Sequence, residues 1–177
     1  MSAYSEAAYH ALLDKAIHYA NEAHAGQLYG NGKPYTWHLR AVAENGLKWI
    51  AYLPHGCKQE VAIIALWLHD TKEDCGKEHA ELAFNFGEEI ADVVEGMTDE
   101  PGATRAERKP NTWAKARRMG PIVVFDKLMD FLSNVEAGGK EDMYRKEFPA
   151  MKSIMYLPGE MDPIWEYAES LLFPAKH

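Results

Sequence analysis

The residues best suited to chemistry follow an apolar run. Ala62-Ile63-Ile64-Ala65-Leu66-Trp67-Leu68 leads into His69-Asp70-Thr71-Lys72-Glu73-Asp74. On one continuous helix, Glu73 lies four residues after His69 and Asp74 four after Asp70, which puts each pair on a shared face. Imidazole and carboxylate together suit a divalent transition metal. The apolar run would seat them at the floor of a pocket. One segment then offers metal ligands and a spare carboxylate for moving a proton.

A metal site needs ligands from several elements, and two other segments offer them. His38 ends Pro34-Tyr35-Thr36-Trp37-His38, at the entrance to an expected helix. Asp130 interrupts an apolar stretch that contains Val123, Val124, Phe125, Leu128, Phe131 and Leu132. Taken alone, a histidine like His38 is more often structural, and a helical aspartate is usually a surface residue. Asp130 differs in its setting, because a buried carboxylate requires a counter-charge or a metal.

The chain has 177 residues, enough for one domain with a full core. It is 47% hydrophobic and 26% charged, ordinary for a globular protein. A formal net charge of -8 argues against broad nucleic-acid binding but admits a small anionic ligand. Positive charge gathers at Arg105, Arg108, Lys109, Lys115, Arg117 and Arg118. These are either a solvated face or a local phosphate-binding patch. No apolar run approaches the roughly 20 residues that span a bilayer. The start, Met-Ser-Ala-Tyr-Ser-Glu, lacks a signal-peptide pattern. Cys57 and Cys75 form no CxxC unit. A reduced, cytoplasmic protein is the expectation, with the oligomeric state left open.

Nearly every segment predicts helix. Tyr9, Leu12, Leu13, Ala16, Ile17, Ala20 and His24 recur at helical spacing behind a Ser5 cap. Gly26 and Gly30-Asn31-Gly32-Lys33-Pro34 then form a loop. Further helices are expected over 37–52, 58–71, 78–86, 88–95, 112–119, 121–137, 141–155 and 162–173. Pro149 is a candidate kink. The polar stretch 98–110, with its Pro and Gly, predicts a long loop of the kind that often serves binding. No alternating strand pattern or internal repeat is visible. The expectation is an all-α chain, one compact helical domain over 1–177.

Together the segments resemble a family. The ordered set of His, then His-Asp, then a distant Asp is similar to the HD superfamily of metal-dependent phosphohydrolases. The fuller pattern is His24-Ala25-Gly26-Gln27, Gly32-Lys33-Pro34-Tyr35-Thr36-Trp37-His38, Leu68-His69-Asp70-Thr71-Lys72-Glu73-Asp74, Gly96-Met97-Thr98 and Lys127-Leu128-Met129-Asp130 with Asn134. It resembles the hydrolase domain of RelA/SpoT enzymes and the small alarmone hydrolases, across about residues 7 to 155.

The resemblance implies that His38, His69, Asp70 and Asp130 bind one metal ion, expected to be manganese (Mn2+). It makes Glu73 and Asp74 the proton-transfer and water-orienting pair, and places His24 near the site. The implied reaction removes the 3′-pyrophosphate of guanosine tetra- or pentaphosphate, giving GDP or GTP and pyrophosphate. Arg105 and Arg145 fall near positions that bind phosphate in the small hydrolases, and Asn134 completes the substrate side.

The chain departs from the family where the base is read. Leu28-Tyr29-Gly30-Asn31 stands where relatives carry adjacent basic residues, and Phe131 and Ser133 replace the final motif's basic and aromatic positions. Tyr29 offers an aromatic face in exchange. Two alternatives therefore stand beside the main expectation. One is an HD phosphohydrolase acting on a different nucleotide phosphate. The other is a non-catalytic nucleotide-binding or antitoxin-like module, against which the intact Glu73 and Asp74 count. His10 and His18 are expected to face solvent, His55 to sit in a turn, and His79 to lie on the surface.

Overall fold

The computed structural model describes residues 5–30 and 32–174. The start of the N-terminal segment read above and the loop residue Asn31 lie outside them. The described residues form helices α1 (Glu6–Ala23), α2 (Tyr35–Trp49), α3 (Gln59–Leu68), α4 (Thr71–Cys75), α5 (His79–Phe86), α6 (Glu88–Met97), α7 (Arg105–Met119), α8 (Pro121–Ala137), α9 (Glu141–Met155) and α10 (Asp162–Leu172). A short 3-10 turn, Ile50–Tyr52, follows α2. Among the described residues the one extended pairing is an isolated bridge between Leu28 and Pro34. The fold is all-helical, and among the described residues no helix is long and apolar enough to cross a membrane.

Helix α3 is the spine. Every residue from Val61 to Leu68 except Trp67 is buried, as befits a helix that is apolar all round. Its faces serve two cores. Ala62, Ile63 and Leu66 pack with residues of α2, α8, α9 and α10. Val61, Ile64, Ala65 and Leu68 pack with residues of α1, α5 and α6. Gly46 lets α2 press onto α3, since a methyl there would collide with the Leu66 side chain. That contact brings the start of α2, with His38, towards the end of α3, with His69.

Two expectations need correction. The helix expected over 58–71 stops at Leu68. His69 and Asp70 form a junction, and Thr71 begins α4 while its hydroxyl donates to the Leu68 carbonyl at 2.6 Å. Gly76 ends α4 at φ 66°, a left-handed conformation that favours glycine. The segment 98–110 is loop only as far as Thr104. Thr104 caps α7 by accepting from the Glu107 amide at 3.3 Å, and the Glu107 carboxylate accepts from the Ala103 amide at 2.9 Å. This exchange resembles a capping box. It offsets the proline inside the helix, Pro110.

Candidate active site

Three ligand-type side chains gather at the α3–α4 junction. Nitrogen or oxygen atoms of His38, His69 and Asp130 all lie within 4.8 Å of one another. His38 Nε2 is 3.3 Å from Asp130 Oδ1 and 3.6 Å from Asp70 Oδ2. His69 Nε2 is 2.9 Å from Asp70 Oδ2 and 3.8 Å from Asp130 Oδ1. Both rings are buried.

The histidine geometry fits a metal. His69 Nδ1 lies 2.8 Å from the Leu66 carbonyl, an acceptor that fixes the ring proton on Nδ1. The buried Nε2 points at the acids, 2.9 Å from Asp70 Oδ2, and gives its lone pair to a cation once the proton there is lost. A donor set of imidazole and carboxylate suits a divalent metal.

Charge in this cluster is strongly coupled. Burial alone would push His69 towards neutrality, but the charge and hydrogen bond of Asp70, with Asp130, outweigh it and raise its pKa to about 9. Burial opposes the ionised form of Asp70, and His69 overcomes it, lowering that pKa to about 2. Asp130 is likewise held ionised against burial, by His38 and His69.

One turn of chain braces these groups. Residues 27–30 pair with residues 32–35, the Tyr29 amide donating to the Lys33 carbonyl at 2.8 Å and the Tyr35 amide to the Gln27 carbonyl at 2.9 Å. The Tyr35 hydroxyl donates to Asp70 Oδ2 at 2.7 Å. Gln27 Nε2 donates to Asp74 Oδ2 at 2.8 Å, and its Oε1 lies 2.7 Å from His24 Nδ1. His24 stacks on Tyr35, centroids 4.6 Å apart. The Tyr29 hydroxyl donates to Asn134 Oδ1 at 2.6 Å, and Asn134 Nδ2 donates to Asp130 Oδ1 at 2.6 Å. Burial and the charges of Asp130 and Asp70 raise the Tyr29 pKa to about 12, which keeps its hydroxyl a donor.

Tyr29 differs from its expected use. Its ring stacks on His38, centroids 4.6 Å apart at 12°, so one face is already occupied. Tyr35 meets it edge-on and Trp37 at a tilt. Tyr29 is a wall of the site more than a free platform.

The site opens into a cavity of about 380 Å³. Four elements face it with helical periodicity: Arg105, Lys109 and Trp113 of α7; Lys127, Asp130, Phe131 and Asn134 of α8; Tyr144, Glu147 and Met151 of α9; and Tyr35 with His38 of α2. Leu28, Tyr29, Gly30, Asp70, Glu73 and Lys140 complete the lining. Glu73 therefore faces the cavity, and its Oε2 accepts from the Asp99 amide at 3.0 Å. Burial raises its pKa, with the Asp99 amide opposing.

Arg145 needs correction. Its Nε donates to the Leu172 carbonyl at 2.8 Å and its Nη1 to Asp142 at 3.0 Å. It lies on the far side of α9 from Tyr144, Glu147 and Met151. Arg105 does line the cavity, clamped to Glu147 at 2.6 and 2.9 Å. Tyr35 and Lys127, expected only as motif residues, and Lys109, expected only within a basic cluster, line the cavity as well. Periodicity could have found Lys109, since 105, 109 and 113 share a helix face.

The comparisons agree with this geometry. A family model described as "HD domain" matches residues 16–126. The chain is 35% identical over 127 residues to an Aquifex aeolicus guanosine-3′,5′-bis(diphosphate) 3′-pyrophosphohydrolase, covering 70% of this chain and 17% of that protein. It is 39% identical over 88 residues to a Brucella ovis GTP pyrophosphokinase, covering 50% of this chain and 11% of that protein. The chain thus spans less than a fifth of these curated relatives. Among solved structures, a metazoan ortholog of SpoT that hydrolyses ppGpp superposes with a TM-score of 0.69 at 20% identity, covering 95% of this chain and 97% of that one. A Listeria monocytogenes protein superposes at 0.55 with 23% identity, covering 76% of this chain and 98% of that one. Those two likenesses bear on the helical fold. With the profile spanning most of the chain and the His and Asp side chains converging as they do, this chain belongs to the HD-domain family.

Proposed function

We propose that this chain is a metal-dependent phosphohydrolase that removes the 3′-pyrophosphate of guanosine tetra- or pentaphosphate, or of a closely related nucleotide, with 1–177 acting as one domain. The observation that carries the reading is the cluster of His38, His69 and Asp130, with His38, Asp130 and Glu73 lining one cavity. The match to the Aquifex pyrophosphohydrolase supports the substrate class.

In this reading His38, His69, Asp70 and Asp130 hold one divalent ion, with Mn2+ the proposed metal. Such an ion supplies Lewis acidity, offsetting phosphate charge and making water more acidic. The chain does the rest. Glu73 accepts the proton of the attacking water, because it faces the cavity and its pKa, raised by burial, makes it a stronger base than a free carboxylate. Asp74 orients, its own Oδ2 being held by Gln27. Tyr35 and Asn134 fix the carboxylates of Asp70 and Asp130. The cationic side of the cavity, Arg105 included, balances the phosphates. The nucleoside lies towards Leu28, Trp113, Phe131 and Met151.

A broader base preference is the second reading. The segment Leu28-Tyr29-Gly30 brings no charged group to the cavity, and one Tyr29 face is covered. The test is kcat/KM of manganese-loaded protein for guanosine and adenosine 3′-pyrophosphates and for ordinary 5′-di- and triphosphates. Turnover of the 3′-pyrophosphates supports the proposal, and a guanosine-to-adenosine ratio near one supports the broader reading. Activity confined to 5′-phosphates, or absent throughout, defeats the alarmone-hydrolase assignment.

A further inference from the structure

Four cations line the cavity, and the chain treats them differently. Arg105 is clamped in two hydrogen bonds by Glu147. Lys109 is paired with Asp99 at 2.6 Å. Lys140 is exposed at the rim. Lys127 is half-buried, and among the described residues its ammonium has neither a salt bridge nor a hydrogen bond.

Its position is particular. Lys127 stands three residues before Asp130 on α8, so the two share a helix face. Both line the cavity with Glu73. The acids that feel its charge are Asp130, Asp99 and Glu73, while Lys109 repels it. Each acid is engaged elsewhere: Asp130 by His38 and Asn134, Asp99 by Lys109, and Glu73 by the Asp99 amide. Burying a cation without a bonded partner is costly. An anion arriving beside the ligand cluster removes that cost. Burial and Lys109 also press the Lys127 pKa down, and an adjacent phosphate opposes both.

We propose that Lys127 is the phosphate anchor of this cavity, its ammonium gripping non-bridging oxygens of the phosphoryl group that sits beside His38, His69 and Asp130. This rests on the phosphohydrolase reading and assigns the close contact within it. Arg105 and Lys109, held by carboxylates, act as background charge.

The test uses the full chain loaded with Mn2+ and inorganic pyrophosphate as the probe. Calorimetry measures pyrophosphate and manganese binding for wild type and for Lys127→Met, Lys127→Gln, Lys127→Arg and, as a control outside the cavity lining, Lys48→Met at the exposed end of α2. Lys127→Met and Lys127→Gln should weaken pyrophosphate binding about 10-fold or more, or ~1.4 kcal/mol. Manganese binding should be retained, which a merely structural role would not predict. Lys127→Arg should recover most of the loss, and Lys48→Met should change binding less than about threefold, as loss of an exposed charge outside the cavity does. The glutamine variant carries the test if methionine prevents folding. Wild-type pyrophosphate affinity in Lys127→Gln overturns the anchor alone. Failure of the wild-type protein to bind manganese or pyrophosphate overturns the phosphohydrolase reading with it.

Discussion

Loading of the metal should be coupled to loss of a proton from His69. The cause is the buried pair it forms with Asp70, 2.9 Å away, which raises the His69 pKa from 6.5 to about 9. A shift of that size corresponds to roughly 3.4 kcal/mol, at 1.36 kcal/mol per pH unit. A cation needs the Nε2 lone pair, so it competes with the proton. At pH 7 the group lies about two units below its pKa, which holds manganese affinity roughly 100-fold under its high-pH limit. Affinity should rise about tenfold per pH unit from about pH 6.5 and level off near pH 9. The metal-free protein should move the other way. A raised histidine pKa gives stability that is fully present below 6.5 and is lost as pH rises through about 9. Calorimetry of manganese binding in two buffers of different ionisation enthalpy measures the protons released, and melting curves without metal measure the stability. About one proton released at pH 7, with a falling metal-free Tm, is expected. A pH-independent affinity with no proton release would show that His69 is not the ligand or is not charged before binding.

Two other predictions concern the carboxyl groups of Glu73 and Asp126. Glu73→Gln should keep manganese affinity and lower kcat by about 10²–10⁴, as loss of a general base does; an unchanged kcat at saturating substrate removes Glu73 from the proton transfer. Asp126 is fully buried on α8, and neither of its oxygens has a hydrogen-bond partner. Burial raises its pKa well above 3.8, so its penalty on stability is absent below that value and grows as pH rises towards the folded pKa. Asp126→Val should therefore stabilise the fold at neutral pH by about 1–3 kcal/mol, at roughly 2–4 °C per kcal/mol. An unchanged or lower Tm at pH 7 would mean that the carboxyl is compensated.

The ligand segments were readable because each sits at a marked place in the helical pattern. His69 and Asp70 close the apolar run, and Asp130 breaks another. The helix expected over 58–71 ends early because apolar periodicity cannot see a junction made by the Thr71 hydroxyl on the Leu68 carbonyl. The stretch 98–110 looked like loop from its Pro and Gly, although Thr104 and Glu107 already spelled a helix start. Without that start, the shared 105/109/113 face that separates Lys109 from the rest of the basic cluster cannot be read. Arg145 was chosen by position in a motif. The period of α9, with Tyr144, Glu147 and Met151 towards the cavity, turns residue 145 away. The partners of Gln27, Tyr35 and Tyr29 lie 47, 35 and 105 residues away, beyond the reach of local pattern.

The turn over residues 27–35 has a consequence for how this site can diverge. Tyr29 lines the cavity, yet the same side chain stacks on His38 and reaches Asp130 through Asn134. A substitution there alters recognition and ligand geometry in one step. New base preferences are then hard to acquire by single changes at position 29. The neighbouring Leu28, which is 65% exposed, is the freer position. Directed evolution of substrate range should collect its first tolerated changes at 28, and reach 29 only after Asn134 or Phe131 has changed to take over the brace.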